Sequence, residues 1–197
     1  MRPFWEPNDM FIVLANKLSD CLPDSYVQTF PQLRLEADRL ARKHAKERCS
    51  HNKDVTLSEI YDEFAALTGV SSDTAQQIMK REQKLEMDIS FQRDTGKQLY
   101  DLAVAMEKKV ICVTDMYLPR ETIQAMLQKN KYDSIFKIYI SSEYRTPKCD
   151  GLFKIVLRDL RLKSPSEIIH IGDNYYVDCV MWLSLLISHA RKRYRQG

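Results

Sequence analysis

The sequence is poor in glycine, in paired cysteines and in long apolar runs, and each shortage excludes a class of protein. Only five glycines are scattered over 197 residues, and they form no G-x-G-x-x-G segment of the kind that binds dinucleotides after a strand. The five cysteines form no C-x-x-C pair, which argues against a zinc site or a disulfide framework. A reducing, cytoplasmic compartment is therefore expected.

Neither a membrane nor nucleic acid is an expected partner. The longest apolar run near the C-terminus, residues 179–187, is far shorter than the roughly 20 residues that a membrane-spanning helix needs. The first residues lack the basic and apolar segments of a signal peptide. The formal net charge is only +3, so no strong overall field attracts nucleic acid. The basic end, residues 189–197, is interpreted as solvated chain, with phosphate or membrane-surface binding as the alternative.

The first half of the chain has helical patterns. Thr56 and Glu59 form a capping box at a helix start, and Gly69 marks the end of the same helix. In the preceding helix the apolar stripe is predicted to contain Leu33, Ala37, Leu40 and His44, with the charged residues elsewhere. We predict a linker helix over residues 1–19, an all-helical unit over 20–95 and an α/β core over 96–197.

In the second half, apolar segments alternate with helical ones. Strand-like segments are VICVTD, IFKIYISS and EIIHIGD, and the segments between them, RETIQAMLQKN and KCDGLFKIVLRDL, have helical patterns. This alternation is typical of βαβ units and predicts a Rossmann-like parallel sheet. The strands are apolar runs without alternation, which indicates that both faces of the sheet are covered.

Polar groups follow the predicted strands, where parallel sheets bind their ligands. Thr114 ends the first strand, Asp173 ends the last with Asp178 five residues on, and Lys148 precedes a helix between them. Each has an ordinary structural explanation as a helix start, a turn residue or a surface charge. Together, a hydroxyl, an ammonium group and two carboxylates predict a site for phosphate and Mg²⁺.

These motifs resemble those of the haloacid dehalogenase (HAD) superfamily of phosphohydrolases. VICVTDMYL is similar to the second motif, Lys148 in TPKCDGLF to the third, and IIHIGDNYYVDC to the fourth. The resemblance implies that Thr114 and Lys148 are catalytic and bind phosphate, and that Asp173 and Asp178 bind Mg²⁺. It further implies that residues 20–95 are a helical cap, and that the substrate is a small phosphorylated metabolite such as a sugar phosphate or a nucleotide.

The chain departs from the HAD pattern at both ends. The first motif, D-x-D, carries the nucleophilic aspartate on the central strand, and the string RPFWEPNDMF that would follow it starts at residue 2. Asp115 does not replace it because residue 117 is a tyrosine, and Asp88 lies in a helical pattern. We therefore expect a chain that lacks its first strand. After Asp178 no glycine introduces a final strand, which puts that strand in doubt.

Two hypotheses of different class remain open. The first is a Mg²⁺-dependent HAD-like phosphohydrolase, truncated and weakly active or inactive as given. The second is a catalytically inactive HAD-like module for binding or interaction, which accepts a strand from a partner or forms an oligomer.

Overall fold

A computed structural model of the chain describes residues 8–180. The described part is mostly helical and contains a two-stranded parallel sheet, so the fold is of the α/β type. The α-helices are α1 Asp9–Ala15, α2 Asp24–Arg48, α3 Leu57–Thr68, α4 Ser72–Ile89, α5 Asp94–Ala105, α6 Arg120–Lys129, α7 Ser141–Tyr144 and α8 Leu152–Asp159. The strands are β1 Val110–Thr114 and β2 Ile135–Ile140. Short 3-10 turns cover Lys148–Asp150 and Pro165–Glu167, and a π-helical turn covers Tyr175–Val180.

The predicted limits of α3 are confirmed. The Thr56 hydroxyl accepts a hydrogen bond from the Glu59 backbone N–H at 3.3 Å, and the Glu59 carboxylate accepts one from the Thr56 N–H at 2.8 Å. Both donors would otherwise lack partners at the start of the helix. Gly69 ends the helix with a positive φ of 73°, a conformation that glycine adopts without steric cost.

The buried stripe of α2 differs from the predicted one. Its fully buried members are Phe30, Arg34, Ala37, Ala41 and Ala45, so only Ala37 belongs to both sets. The prediction placed all charges outside the stripe, whereas Arg34 is buried because Glu82 of α4 neutralises it. His44 lies at the margin instead and binds the Glu63 carboxylate at 2.7 Å.

The sheet is one βαβ unit. β1 and β2 pair in parallel, with Thr114 opposite Ile140, and α6 connects them. Successive side chains of a strand face opposite sides. Ile138 and Ile140 accordingly pack into the helical side, and Tyr139 packs on the other side with Leu152 of α8. The prediction of strands covered on both faces is confirmed only for the end of β2, from Ile138 to Ile140, because β1 is half-buried throughout and Phe136 is exposed.

The third predicted strand, over residues 168–172, is wrong for the part of the chain that the structure describes. Ile168 is extended, with φ −117° and ψ 136°, but the segment pairs with no described strand. Ile169 and Ile171 are 89% and 60% exposed. An extended apolar segment becomes a strand only where another strand lies beside it. The doubtful final strand and the basic end, residues 189–197, lie outside the described residues.

One large hydrophobic cluster spans the helices and the sheet. Its buried members include Leu14 of α1, Phe30 of α2 and Phe64 of α3, together with Leu118 and Ile140 from the α/β half. The helical unit and the sheet are therefore packed against each other. Between residues 8 and 180, no helix has the length and apolar character that a membrane span requires.

Candidate functional site

The candidate site lies where β1 ends. Thr114 is the last residue of the strand and is partly buried, and Asp115 follows it on the surface. Among the described residues, the Thr114 hydroxyl has no hydrogen-bond partner. The Met116 N–H donates to the Ser141 hydroxyl at 3.0 Å, which fixes this loop against the end of β2. The carboxyl end of β1 thus carries a hydroxyl and a carboxylate on consecutive residues.

Lys148 joins two acidic residues that lie about 30 positions away on either side. Its backbone N–H donates to the Asp115 carboxylate at 2.8 Å, and its ammonium group donates to the Asp178 carboxylate at 2.6 Å. The Lys148 side chain is only 12% exposed. An ammonium group that is so little hydrated needs an anion nearby, and Asp178 supplies it.

Asp178 is the buried acid of the site. Besides Lys148, its carboxylate contacts the His170 ring Nε2 at 3.0 Å and accepts from the Asn174 N–H at 3.0 Å. Desolvation acts to raise the pKa of Asp178, but the hydrogen bonds from Lys148, His170 and Asn174 outweigh it and hold the pKa below its ordinary value. Asp178 is therefore an anion that the protein stabilises.

The absence of a side chain at Gly172 leaves room for the Asp178 carboxylate. A Cβ atom on Gly172 would lie 2.2 Å from the Asp178 Oδ2 atom, which is far inside van der Waals contact. The segment from Gly172 to Asp178 is consequently a tight loop folded over its own carboxylate. This close approach accounts for a glycine at position 172 without any positive φ.

Asp115 and Asp178 have opposite pKa shifts. Partial desolvation of its carboxyl group raises the pKa of Asp115. The negative charges of Asp54 and Asp178 raise this pKa further, and Lys148 acts to lower it. The two carboxyl groups near Lys148 thus differ in pKa, and Asp115 is protonated at a higher pH than Asp178. Such a difference is common where one acid exchanges protons and the other stays ionised.

Asp173 is not brought to Lys148. Its carboxylate forms an ion pair with the Arg93 guanidinium at 3.0 Å, and both side chains are exposed. The two predicted metal ligands therefore have separate cationic partners. Among residues 8–180, no group of three or more His, Cys, Asp or Glu side chains is arranged to hold a metal ion.

The helical unit contacts the site loop directly. The Tyr117 carbonyl accepts a hydrogen bond from the Leu57 N–H at 2.9 Å, and the Tyr117 hydroxyl donates to Glu86 at 3.1 Å. The Tyr117 ring also lies under the Arg34 guanidinium, 5.0 Å from the ring centre. Tyr117 follows Asp115 by two positions, so helices α2, α3 and α4 help to position the end of β1.

A second contact joins the helical unit to the segment before Lys148. The Lys53 N–H donates to the Arg145 carbonyl at 2.9 Å, and the Lys53 ammonium group binds Asp150 at 2.9 Å. The Arg145 guanidinium in turn binds the Glu59 carboxylate. The loop between α2 and α3 is thereby held against the turn that carries Lys148.

Sequence reasoning missed His170 and Arg93 and rejected Asp115. A signal for His170 existed, because it is the one ionisable residue in the otherwise apolar run from Ile168 to Ile171. Arg93 gave no comparable signal, since it is one of many basic residues in a polar linker. Its pairing with Asp173 depends on how the linker before α5 and the loop of residues 172–178 meet in space.

Comparisons with known proteins add no family assignment. The sequence matches no protein-family model, and no curated protein is similar to it. The resemblance to HAD enzymes therefore rests on the three sequence motifs alone.

Proposed function

We propose that the chain is a HAD-like, Mg²⁺-dependent phosphohydrolase scaffold: a Rossmann-like core under a helical cap, which binds a small phosphorylated metabolite such as a sugar phosphate or a nucleotide. The observation that carries the proposal is the position of Lys148. Its backbone N–H binds Asp115 at the end of β1, and its largely buried side chain ends in an ammonium group that binds Asp178. A lysine there is suited to an anion that enters from the strand end.

Phosphate binding would use groups that the site already presents. The Thr114 hydroxyl would donate to one phosphoryl oxygen, and the Lys148 ammonium group would neutralise another. Both groups favour a phosphoryl group whose negative charge is spread over its oxygens. The buried position of Lys148 strengthens its attraction for the ligand, because little water screens it.

The residues for Mg²⁺ in this proposal are Asp173 and Asp178. One or two carboxylates with water and phosphate oxygens are the usual ligands of this ion, so the donor chemistry fits. A bound ion would supply positive charge that stabilises the phosphoryl oxygens. Asp178 would exchange part of its contact with Lys148 for the ion, and Asp173 would turn away from Arg93.

The proposed function is ligand binding, with little or no hydrolysis by the chain as shown. No two aspartates in the sequence shown are separated by a single residue, so no D-x-D pair supplies a nucleophile and its acid–base partner. We therefore expect the chain as shown to bind phosphate with Mg²⁺ and to hydrolyse phosphate esters slowly or not at all.

Calorimetric titration of the chain with inorganic phosphate in MgCl₂ tests the proposal. We expect measurable binding, and a loss of about tenfold or more in Lys148→Met, because a charge-assisted hydrogen bond is removed. Lys154→Met is the matched control, since Lys154 is an exposed lysine of α8. Thr114→Val is a second variant that removes a phosphate contact but no ion pair. Absence of binding to the unmodified chain, or equal binding by Lys148→Met, would contradict the proposal.

The second candidate function is a non-catalytic module that accepts a strand. In the described part of the chain β1 pairs with β2 alone, and residues 168–172 form no strand there while the Ile169 and Ile171 side chains are exposed. Within the described residues the sheet has only two strands, and the edges of so small a sheet attract a further strand. The added strand would come from a partner or from a second copy of the chain.

Sedimentation analysis distinguishes this second candidate. If copies of the chain exchange strands at this edge, the unmodified protein sediments as an oligomer and the double variant Ile169→Lys/Ile171→Lys as a monomer. Leu102→Lys, at a similarly exposed position on α5, should leave the assembly unchanged. A monomer at all concentrations would leave only a heterologous partner and would exclude self-association.

A further inference from the structure

Each acid of the loop from Gly172 to Asp178 is held by a cation from a distant segment. Lys148 binds Asp178, and Arg93, in the linker between α4 and α5, binds Asp173. The first pair is buried, with side chains 12% and 4% exposed, whereas the second is open, with 56% and 63%. The proposed site therefore has one interior cation and one cation at its rim.

The rim cation and the interior cation are connected through the loop that both of them bind. The Asn174 N–H donates to the Asp178 carboxylate at 3.0 Å, and that carboxylate lies 2.6 Å from the Lys148 ammonium group. Asp173 directly precedes Asn174, so Arg93 and Lys148 bind two acids of one short loop, residues 172–178. A ligand that extends from Lys148 along this loop would reach Arg93.

The pair between Arg93 and Asp173 is readily exchanged. Exposed ion pairs contribute little to stability because water and salt screen them. In the proposed function Asp173 turns toward Mg²⁺, and the guanidinium group then loses this partner. A guanidinium group offers parallel N–H donors that match a carboxylate or a phosphate, which a single ammonium group does not.

We propose that Arg93 is a specificity-determining residue that binds a second anionic group of the ligand. The ligand class is then a phosphate ester that also carries a carboxylate or a second phosphate, and not a neutral alcohol or sugar with one phosphate only. The inference rests on the proposed function, since it assumes that the phosphate of the ligand is bound by Lys148. It extends that function by specifying a second anionic group on the ligand.

A matched pair of ligands tests the role of Arg93. Propyl phosphate and 2-carboxyethyl phosphate have the same chain length and differ by a methyl group against a carboxylate. In calorimetric titration with MgCl₂, we expect the full chain to bind the carboxylate compound about tenfold more tightly, the effect of one added charge-assisted contact. Arg93→Gln should abolish this preference, so that the two compounds bind with equal affinity.

Two further variants separate a specific contact from a general charge effect. Arg93→Lys keeps the charge and should retain only part of the preference, because the paired donors are lost. Arg39→Gln removes an equally exposed arginine that pairs with Glu36 on α2, and it should behave as the unmodified chain. If Arg39→Gln lowered the preference as much as Arg93→Gln does, long-range charge would be the cause and the assignment to Arg93 would be wrong.

The outcomes also separate this inference from the function on which it rests. If both compounds bind the unmodified chain equally, or if Arg93→Gln weakens both to the same extent, Arg93 does not read a second anion and the proposed phosphate site stands. If neither compound binds, the phosphate site itself is refuted, and the inference is refuted with it.

Discussion

The guanidinium group of Arg34 contacts both carboxylate oxygens of Glu82 inside the helical unit, at 2.8 Å through Nε and 2.7 Å through Nη2. The two side chains are 1% and 0% exposed. The Tyr61 hydroxyl donates to the same carboxylate at 2.6 Å, and burial together with the charge of Glu82 raises the pKa of Tyr61 well above its ordinary value. This network ties α2, α3 and α4 together.

Removing one member of this pair should destabilise the protein strongly. In Arg34→Met the Glu82 carboxylate stays buried without its cation, and we expect the free energy of unfolding to fall by about 3–5 kcal/mol. The double variant Arg34→Met/Glu82→Leu should recover most of the loss, since no charge is left uncompensated. Urea unfolding followed by circular dichroism measures both, with Arg39→Met as the exposed control. A loss as small as that of the control would show that the pair is not buried in solution.

Gly172 should not tolerate alanine. The new methyl group would overlap Asp178, so we expect Gly172→Ala to lower the free energy of unfolding by about 1–3 kcal/mol, as overpacking does. Gly96→Ala is the matched control within α5, where the nearest atom is the Tyr132 hydroxyl oxygen at 3.6 Å. That variant should gain about 0.5–1 kcal/mol because alanine favours the helix. Equal stabilities in urea unfolding would contradict the tight loop.

The contribution of Asp178 should depend on pH. Its pKa in the folded protein lies below the ordinary value of 3.8, so its ionised form stabilises the fold above that value. The stabilisation is lost as the pH falls through the lowered pKa. We therefore expect Asp178→Asn to be less stable than the unmodified chain by about 1–3 kcal/mol at pH 7, with a difference that narrows below pH 3.8. Unfolding curves from pH 7 to pH 3 measure it, and a difference that stays constant would argue against a stabilised carboxylate.

Cysteine reactivity should report on the sheet. Burial raises the pKa of the Cys112 thiol in β1 to about 11, despite the opposing charge of Lys148. Alkylation requires the thiolate, so at pH 8 Cys112 should react only after unfolding, whereas exposed Cys49 reacts in the native protein. Iodoacetamide labelling followed by peptide mass spectrometry distinguishes the two. Equal labelling rates in the native state would show that β1 is open to solvent.

Features with a local cause could be predicted from the sequence. The start of α3 depends on Thr56 and Glu59, three positions apart, and its end depends on Gly69, so a short window contains the whole signal. β1 and β2 could be predicted in the same way, because each is a short apolar run within a few consecutive residues. The convergence of Lys148 with the end of β1 was expected from the general rule that parallel strands present their carboxyl ends at one edge.

Features that join distant residues could not be predicted. Arg34 and Glu82 are 48 positions apart, so nothing near Arg34 indicates that it has a buried partner. Residues 168–172 carry every local mark of a strand, but a strand also needs a neighbour, and neighbours are decided by the whole fold. Asp173 and Asp178 looked equivalent in the motif, and only the tertiary structure gives them different cations.

The hydrophobic cluster that includes Leu14, Phe64 and Ile140 has a consequence for the thermal unfolding of the protein. Since the helices and the side of the sheet that faces them share this cluster, neither retains its packing there once the other has unfolded. Heating should therefore produce one cooperative endotherm whose calorimetric and van't Hoff enthalpies agree, and excised residues 20–95 should not hold a stable tertiary structure by themselves.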